Sequence, residues 1–369
     1  MTAFDAAFRK TLDKSRRNHF RDNWDYRRFG PMQKKGCLKD AIKRALALPL
    51  LRRKPSESEI VAYWAKRMIG ANAADFGWLY DRLGDPDSRE TLLKVLAYRM
   101  LGHRKVKLPL NSKHYWEKMA ELDARARNAE LLDIGLGDRN LRKLNLSPEG
   151  CPIELFARPA GVFCEFVVQQ YRCELPDRVI EVSPGDVVID AGGYHGDTAL
   201  YFAHKAKGGQ VYSFEFFPDN ISVFEKNMAL NRELSRSVHL VDRPLWSSSD
   251  MLLFIEGKGA GAHVMSAANG PSAQEVTTIS IDDFAGKQCL ARIDFIKMDI
   301  EGAELEALKG ARESIKKHRP KLAISVYHYL HDFWSIPQWI DSLGLDYRFA
   351  LRHFSIHAEE TVLFAVADR

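Results

Sequence analysis

Residues 187–202, VVIDAGGYHGDTALYF, restrict this chain more than any other stretch. Val187, Val188 and Ile189 form a short continuous apolar run, the pattern of a strand buried on both faces of a parallel sheet. Asp190 marks the strand end. Gly192, Gly193 and Gly196 let the backbone turn tightly and come close to a ligand. Asp197 or Thr198 is placed to cap the next helix, and Gly208-Gly209 ends it. Residues 210–214 then form a second strand that closes on Glu215. Strand, glycine-rich turn, helix, strand and acid make half of a nucleotide-binding fold.

The spacing decides which nucleotide. A dinucleotide site uses G-x-G-x-x-G, with glycines for the turn, for pyrophosphate approach and for helix packing. Here the pattern is Asp190-x-Gly192-x-x-x-Gly196. A pyrophosphate rests on helix-terminal N–H groups and does not tolerate a neighbouring carboxylate. Asp190 therefore argues for a cationic ligand. S-adenosylmethionine (AdoMet) fits, because it carries a sulfonium and an ammonium and no phosphate. Glu215 is placed to accept hydrogen bonds from both ribose hydroxyls. Asn220, near the start of the following helix, and Asp242, at the end of the third strand, complete the expected cofactor set with Gly192, Gly193 and Gly196. The competing reading is an acidic turn in an NAD domain or a plain βαβ unit.

The rest of the chain extends this half-fold. Strands are expected at 238–241, 293–298, 322–326, 345–351 and 361–366, alternating with helices until a final hairpin-like link. Residues 153–156 and 162–168 read as two further strands, and 251–283 as an inserted β-hairpin. A mostly parallel α/β sheet covered on both faces follows. In front of it, Pro55 and the capping box Ser56-x-x-Glu59 open a helix, with others expected at 76–83, from Asp87 or Ser88 to Leu101, and at 114–133. The expected organisation is a basic arm over 1–54, a helical region over 55–150 and a catalytic domain over 151–369.

The Asp190–Gly196 turn, taken with IKMDIEGAE at residues 296–304, resembles the FkbM family of AdoMet-dependent methyltransferases; the second stretch is the more specific. Residues 278–283 and Glu360-Thr361-Val362-Leu363 also look like that family. The resemblance covers roughly residues 171–367. It implies a class I methyltransferase fold: a Rossmann-like, doubly wound, seven-stranded sheet with its last strand antiparallel, here behind an N-terminal helical extension. It also implies O-methylation, commonly of sugar hydroxyls in glycans, glycolipids or polyketides.

Ligands of such sheets bind beyond the carboxyl ends of the strands. That edge gathers Asp190, Glu215, Asp242, Asp299, Glu301, His328, His331, Arg352, His353, His357 and Glu360. A sugar hydroxyl needs a base to take its proton during attack. Histidine titrates near neutral pH, so His328 is the first candidate base and His353 the alternative. Asp299 orients AdoMet or the acceptor, and Glu301 stands beside it. Asp299, Glu301 and the histidines could also hold a divalent metal that lowers the hydroxyl pKa. No local ligand motif supports one, and none is expected.

Charge is distributed unevenly. Residues 1–54 hold 16 Lys/Arg against 5 Asp/Glu, a net of +11, while the remainder is net −6. Such an arm is either a solvated face or a contact for an anionic membrane surface, a phosphorylated carrier or another protein. The five cysteines show no C-x-x-C spacing and read as reduced thiols of a cytoplasmic protein, peripheral at the inner membrane face if the arm binds lipid. No apolar run approaches the roughly 18–20 residues of a membrane span. Two other functions compete: a nucleic-acid methyltransferase using the basic arm, and a non-catalytic AdoMet-fold module. Against the first, Asp299-Ile300-Glu301-Gly302 stands where amino-methylating DNA enzymes resemble D/N-P-P-Y/F.

Overall fold

The computed structural model describes residues 2–21, 23–26, 69–135, 140–256, 263–265 and 274–368. The capping box at Ser56, its helix and the 54/55 boundary lie outside them.

Among the described residues, four helices of ten residues or more precede the sheet: α1 (Ala3–Arg16), α2 (Ala73–Arg82), α3 (Pro86–Leu101) and α4 (Lys113–Arg127). Side-chain caps fix the starts of α1, α3 and α4. Thr2 and Asp5 form a capping box on α1. Asp85 caps α3 by accepting from the Ser88 N–H, Pro86 occupies the first turn, and Gly102 ends the helix at φ 74°. Ser112 caps α4.

The central sheet has seven strands: β1 (Val187–Ala191), β2 (Gln210–Phe214), β3 (Val238–Val241), β4 (Phe295–Met298), β5 (Lys321–Ser325), β6 (Tyr347–His353) and β7 (Thr361–Ala367). Their spatial order is β6-β7-β5-β4-β1-β2-β3. Only β7 runs antiparallel to its neighbours. The order reverses beside β1, so a crevice opens at the carboxyl ends of β1 and β4. This is the expected seven-stranded, doubly wound sheet. α5 (Asp197–Lys205) and α6 (Pro218–Leu230) follow β1 and β2, α7 (Glu304–Lys309) follows β4, and α8 (Asp332–Asp341) follows β5.

Alternation along the strands divides the core in two. Ile189, Ala191, Ile296, Met298, Leu322 and Ile324 face one cluster, and Val188, Phe295 and Ala323 face the other. The first cluster includes Phe4, Phe8 and Leu12 of α1, Phe76 and Leu79 of α2, and Leu92 and Leu96 of α3. The N-terminal helices thus share the core of the sheet. Gly84 N–H donates to Phe349 O at 2.9 Å, and Leu351 N–H donates to Ser88 Oγ at 2.8 Å, fastening α2 and α3 to β6.

Two local expectations change. Residues 162–167 are helical: Pro159 opens a turn over Pro159–Val162, and a π-turn follows over Phe163–Val167. Their β-branched and aromatic residues resemble a strand, but Val162, Phe163 and Phe166 bury at helical spacing. The insertion is a three-stranded antiparallel sheet of Leu252–Glu256, His263–Met265 and Gln274–Thr277. α6 turns Asn220, Val223, Phe224 and Asn227 inward, leaving Ile221 and Met228 only half-buried.

Candidate active site

The register of the three central strands builds the turn from beneath. Asp190 lies level with Ser213 on β2 and with Lys297 on β4. Its carboxylate, fully buried, accepts from Thr198 Oγ1 at 2.9 Å and Ser213 Oγ at 2.8 Å. Lys297 Nζ stands 3.1 Å from Asp190 Oδ1 and donates to the carbonyls of Ala191 (3.0 Å) and Gly192 (2.6 Å). Burial pushes the lysine's pKa down, but the charges of Asp190 and Asp299 outweigh it and carry it above the ordinary value. Asp190 is therefore an internal anchor of the turn. The expectation that its charge meets the cofactor is corrected: Lys297 already neutralises it.

The glycines serve close packing of the same turn. Gly192 has φ 84°, and a Cβ there would lie 2.0 Å from Asp299 O. Gly196 has φ 81° and serves as the N-cap of α5, where neither Asp197 nor Thr198 caps with its side chain. A Cβ on Gly193 would come within 2.1 Å of Ser213 Oγ, so this glycine faces β2 and not an open cleft.

Carboxyls crowd the start of α5. Asp197 is buried in the first turn, and Glu165 of the π-turn lies beside it. Burial pushes the Glu165 carboxyl well up, and the Asp197 charge adds to this. Glu165 Oε2 is buried without a partner. At the end of β2, Glu215 is 6% exposed, and its Oε1 accepts from the N–H groups of Phe216 (2.8 Å) and Phe217 (2.9 Å). Burial raises its carboxyl pKa, opposed by these bonds and by the Asn220 side chain. Asn220 thus sits beside Glu215. Asp242 follows β3 on the exposed surface. Asn227 is structural, bridging Phe156 and the His195 carbonyl.

A second cluster lies beyond β4 and β5. His328 Nε2 stands 3.4 Å from Asp299 Oδ1 and 3.4 Å from Glu301 Oε2, and its Nδ1 is 3.2 Å from Glu304 Oε1. Tyr327 donates its hydroxyl to Asp299 Oδ1 at 3.1 Å. Burial alone would lower the His328 pKa, but a contact with Glu304 and the charges of Glu304, Asp299 and Glu301 carry it up to about 10. That shift belongs to the ring with no cation beside it, since an ion bound at a ring nitrogen would take the place of the proton. Glu301 is pushed up to about 7 by burial, against the His328 charge. Its side chain is 36% exposed, the most open of the cluster.

The remaining candidates belong to the scaffold. His353 uses both ring nitrogens, Nδ1 with Thr361 Oγ1 at 2.8 Å and Nε2 with His357 O at 2.7 Å. Burial takes it down to about 4, so it is a neutral structural histidine and not the alternative base. Arg352 ties β6 to Asp85 and Ser88. His331 is exposed. Lys297, Glu165 and Tyr327 are the site residues that sequence reading does not single out. Lys297 leaves one signal, a lysine inside the apolar run of a central strand, which burial obliges to pair. A groove of about 570 Å³ between Arg178, Asp294, Lys321 and Asp368 lies at the opposite, amino-terminal edge of β4 and β5, away from these groups.

Comparison with known proteins agrees with this fold. Residues 190–350 match the methyltransferase FkbM domain. A Beauveria bassiana protein described as methyltransferase 1 is 27% identical over 179 residues, spanning 42% of this chain and 71% of that one. The crystal structure of an FkbM methyltransferase from Methylobacillus flagellatus superposes with a TM-score of 0.51 at 21% identity, covering 97% of this chain and 77% of the other. The likeness therefore reaches the helical extension as well as the sheet.

Proposed function

We propose, from the premise that residues 190–350 are an FkbM methyltransferase domain, that this chain is an AdoMet-dependent O-methyltransferase acting on a hydroxyl of a sugar in a glycan, glycolipid or related metabolite. The observation that carries the cofactor is the acidic pair at the start of α5. A dinucleotide's pyrophosphate would have to lie there, against Asp197 and Glu165. An ammonium group would instead satisfy the orphaned Glu165 Oε2. Lys297 offers no phosphate a partner, because Asp190 and two carbonyls consume its charge. Glu215 and Asn220 suit a ribose diol.

AdoMet would supply the methyl group and leave as a neutral thioether. The chain's own residues hold the acceptor in line and receive its proton. Glu301 is the group we place against the hydroxyl. It is the open carboxylate of its cluster and follows Asp299 at the end of β4. Tyr327 orients Asp299 behind it. Asp299, Glu301 and Glu304 make this edge acidic, which suits an uncharged sugar and repels a nucleic-acid backbone. In the same reading the basic N-terminal arm recruits the protein to an anionic membrane face or carrier on the cytoplasmic side. No helix among the described residues is long and apolar enough to cross a membrane.

Calorimetry with AdoMet and with NAD tests the cofactor. AdoMet binding is expected, weakened about tenfold or more in Asp197→Asn and in Glu215→Ala, with no NAD binding. NAD binding tighter than AdoMet would overturn the reading. A panel of sugar acceptors followed by mass spectrometry, looking for a gain of one methyl, tests the reaction. Glu301→Gln should then lower turnover by about 10²–10⁴-fold with AdoMet affinity kept.

A further inference from the structure

The His328 cluster has a feature that methyl transfer to a sugar does not explain. The ring is enclosed, with its side chain 8% exposed, and three carboxylates approach it, from Asp299, Glu301 and Glu304. Yet neither ring nitrogen makes a hydrogen bond of acceptable geometry, and Glu304 Oε2 is also buried without a partner. A ring proton would draw a facing carboxylate into line at about 2.7–2.9 Å, as charge-assisted bonds do. Here the distances are 3.2–3.4 Å and the alignment is missing. The contacts use opposite ring nitrogens, Nε2 toward Asp299 and Glu301 and Nδ1 toward Glu304, so an ion would take one of them, and its ligand atoms would point at the ion instead of at one another.

We infer that Asp299, Glu304 and His328 form a binding site for a divalent transition-metal ion at the carboxyl ends of β4 and β5. One ligand atom from each lies within 4.8 Å of the other two. The elements around the site support those positions. Tyr327 donates to Asp299 Oδ1 at 3.1 Å, and the Ile300 N–H donates to Glu304 Oε1 at 2.8 Å, so both carboxylates are held from behind. Glu304 enters from the first turn of α7, the next residue after the strand-end loop in which Glu301 and Gly302 both take positive φ. Two carboxylates and an imidazole are a mixed oxygen and nitrogen set, which suits Mn²⁺, Fe²⁺ or Zn²⁺ better than an all-oxygen Ca²⁺ site. Glu301 Oε2, 3.4 Å from Nε2, stands at the open side. Such an ion would present a Lewis acid to the acceptor hydroxyl. That last role rests on the methyl-transfer reading; the binding itself does not.

The test uses the full chain, stripped with EDTA and titrated with Mn²⁺ under electron paramagnetic resonance and with Zn²⁺ in a calorimeter. One ion per chain is expected, with affinity at least about 10-fold weaker in Asp299→Asn and in His328→Ala. Asp299→Asn preserves shape at a partly exposed position, so it keeps the test open if His328→Ala unfolds. Absence of saturable binding of either ion to the wild type would overturn the proposal, and so would unchanged binding in Asp299→Asn. So would nitrogen NMR showing both His328 ring nitrogens protonated at neutral pH whether or not the ion is added. AdoMet calorimetry on the same samples separates the two readings: ion binding without AdoMet binding sinks the methyl-transfer reading and leaves the metal site standing, and the reverse sinks the site alone.

Discussion

Lys297 is the residue on which the glycine-rich turn depends. Removing one member of a buried ion pair leaves an uncompensated charge, typically a loss of about 3–5 kcal/mol. Lys297→Met should therefore destabilise the protein by that order in urea unfolding, because the Asp190 carboxylate would keep only its two hydroxyl donors. The double variant Asp190→Asn with Lys297→Met should lose less than Lys297→Met alone, since no charge is then stranded. A single-variant cost below about 1 kcal/mol would mean that the pair does not hold the turn. The lysine also explains why an aspartate can end β1 without inviting a cationic ligand: its countercharge comes from the neighbouring strand.

Two elements outside the glycine-rich turn carry stability of their own. The first is α1, whose Phe4, Phe8, Leu12 and Ser15 form one buried face; Phe4 stacks on Phe8 at 5.5 Å and on Phe76 at 5.8 Å. Phe8→Ala should cost about 3–5 kcal/mol in urea unfolding, as deletions of buried aromatic rings do. Lys10→Ala, on the exposed face, should fall within about 0.5 kcal/mol of wild type. Equal stability of the two variants would contradict the docking of α1. The second element is the link from β6 to β7, closed by His353. Its folded pKa near 4 lies below the ordinary value of about 6.5, so the unfolded chain takes up the proton first. The stability it contributes is complete above about pH 6.5 and is lost as pH falls toward 4. Wild type should lose a few kcal/mol more than His353→Gln across that window, measured by urea unfolding at each pH. A constant difference between the two would show that His353 is not buried neutral.

The molecule as a whole is electrically divided. The edge beyond β4 and β5 is acidic, while residues 1–54 carry a net +11. Truncation of that arm would also remove α1 and open the core, so charge reversal is the cleaner test of recruitment. Lys34→Glu, Lys35→Glu and Lys39→Glu together should abolish co-sedimentation with anionic vesicles at low salt and leave AdoMet affinity unchanged. The wild type should release from the vesicles as salt rises, because the attraction falls off within a Debye length of about 8–10 Å. Wild type that ignores such vesicles at low salt would leave the arm as a solvated segment.

Much of this was written locally. The run 187–189, the glycines after it, Pro218 at the start of α6 and Gly102 at the end of α3 each fix their own backbone, so element order and strand positions could be read within a few residues. Strand alternation with helices then fixed the sheet type and put Asp299, Glu301 and His328 at one edge. What could not be read is which of those polar groups faces a ligand, because that depends on what lies on the next strand. Asp190 is neutralised by Lys297, 107 positions away, as Val187 is met by Asp294 across the same pair of strands. His353 spends its nitrogens on Thr361 and His357, and His328 is surrounded by three acids. Local sequence sets backbone preference; desolvation and charge pairing are properties of the packed interior, and only the tertiary structure decides them.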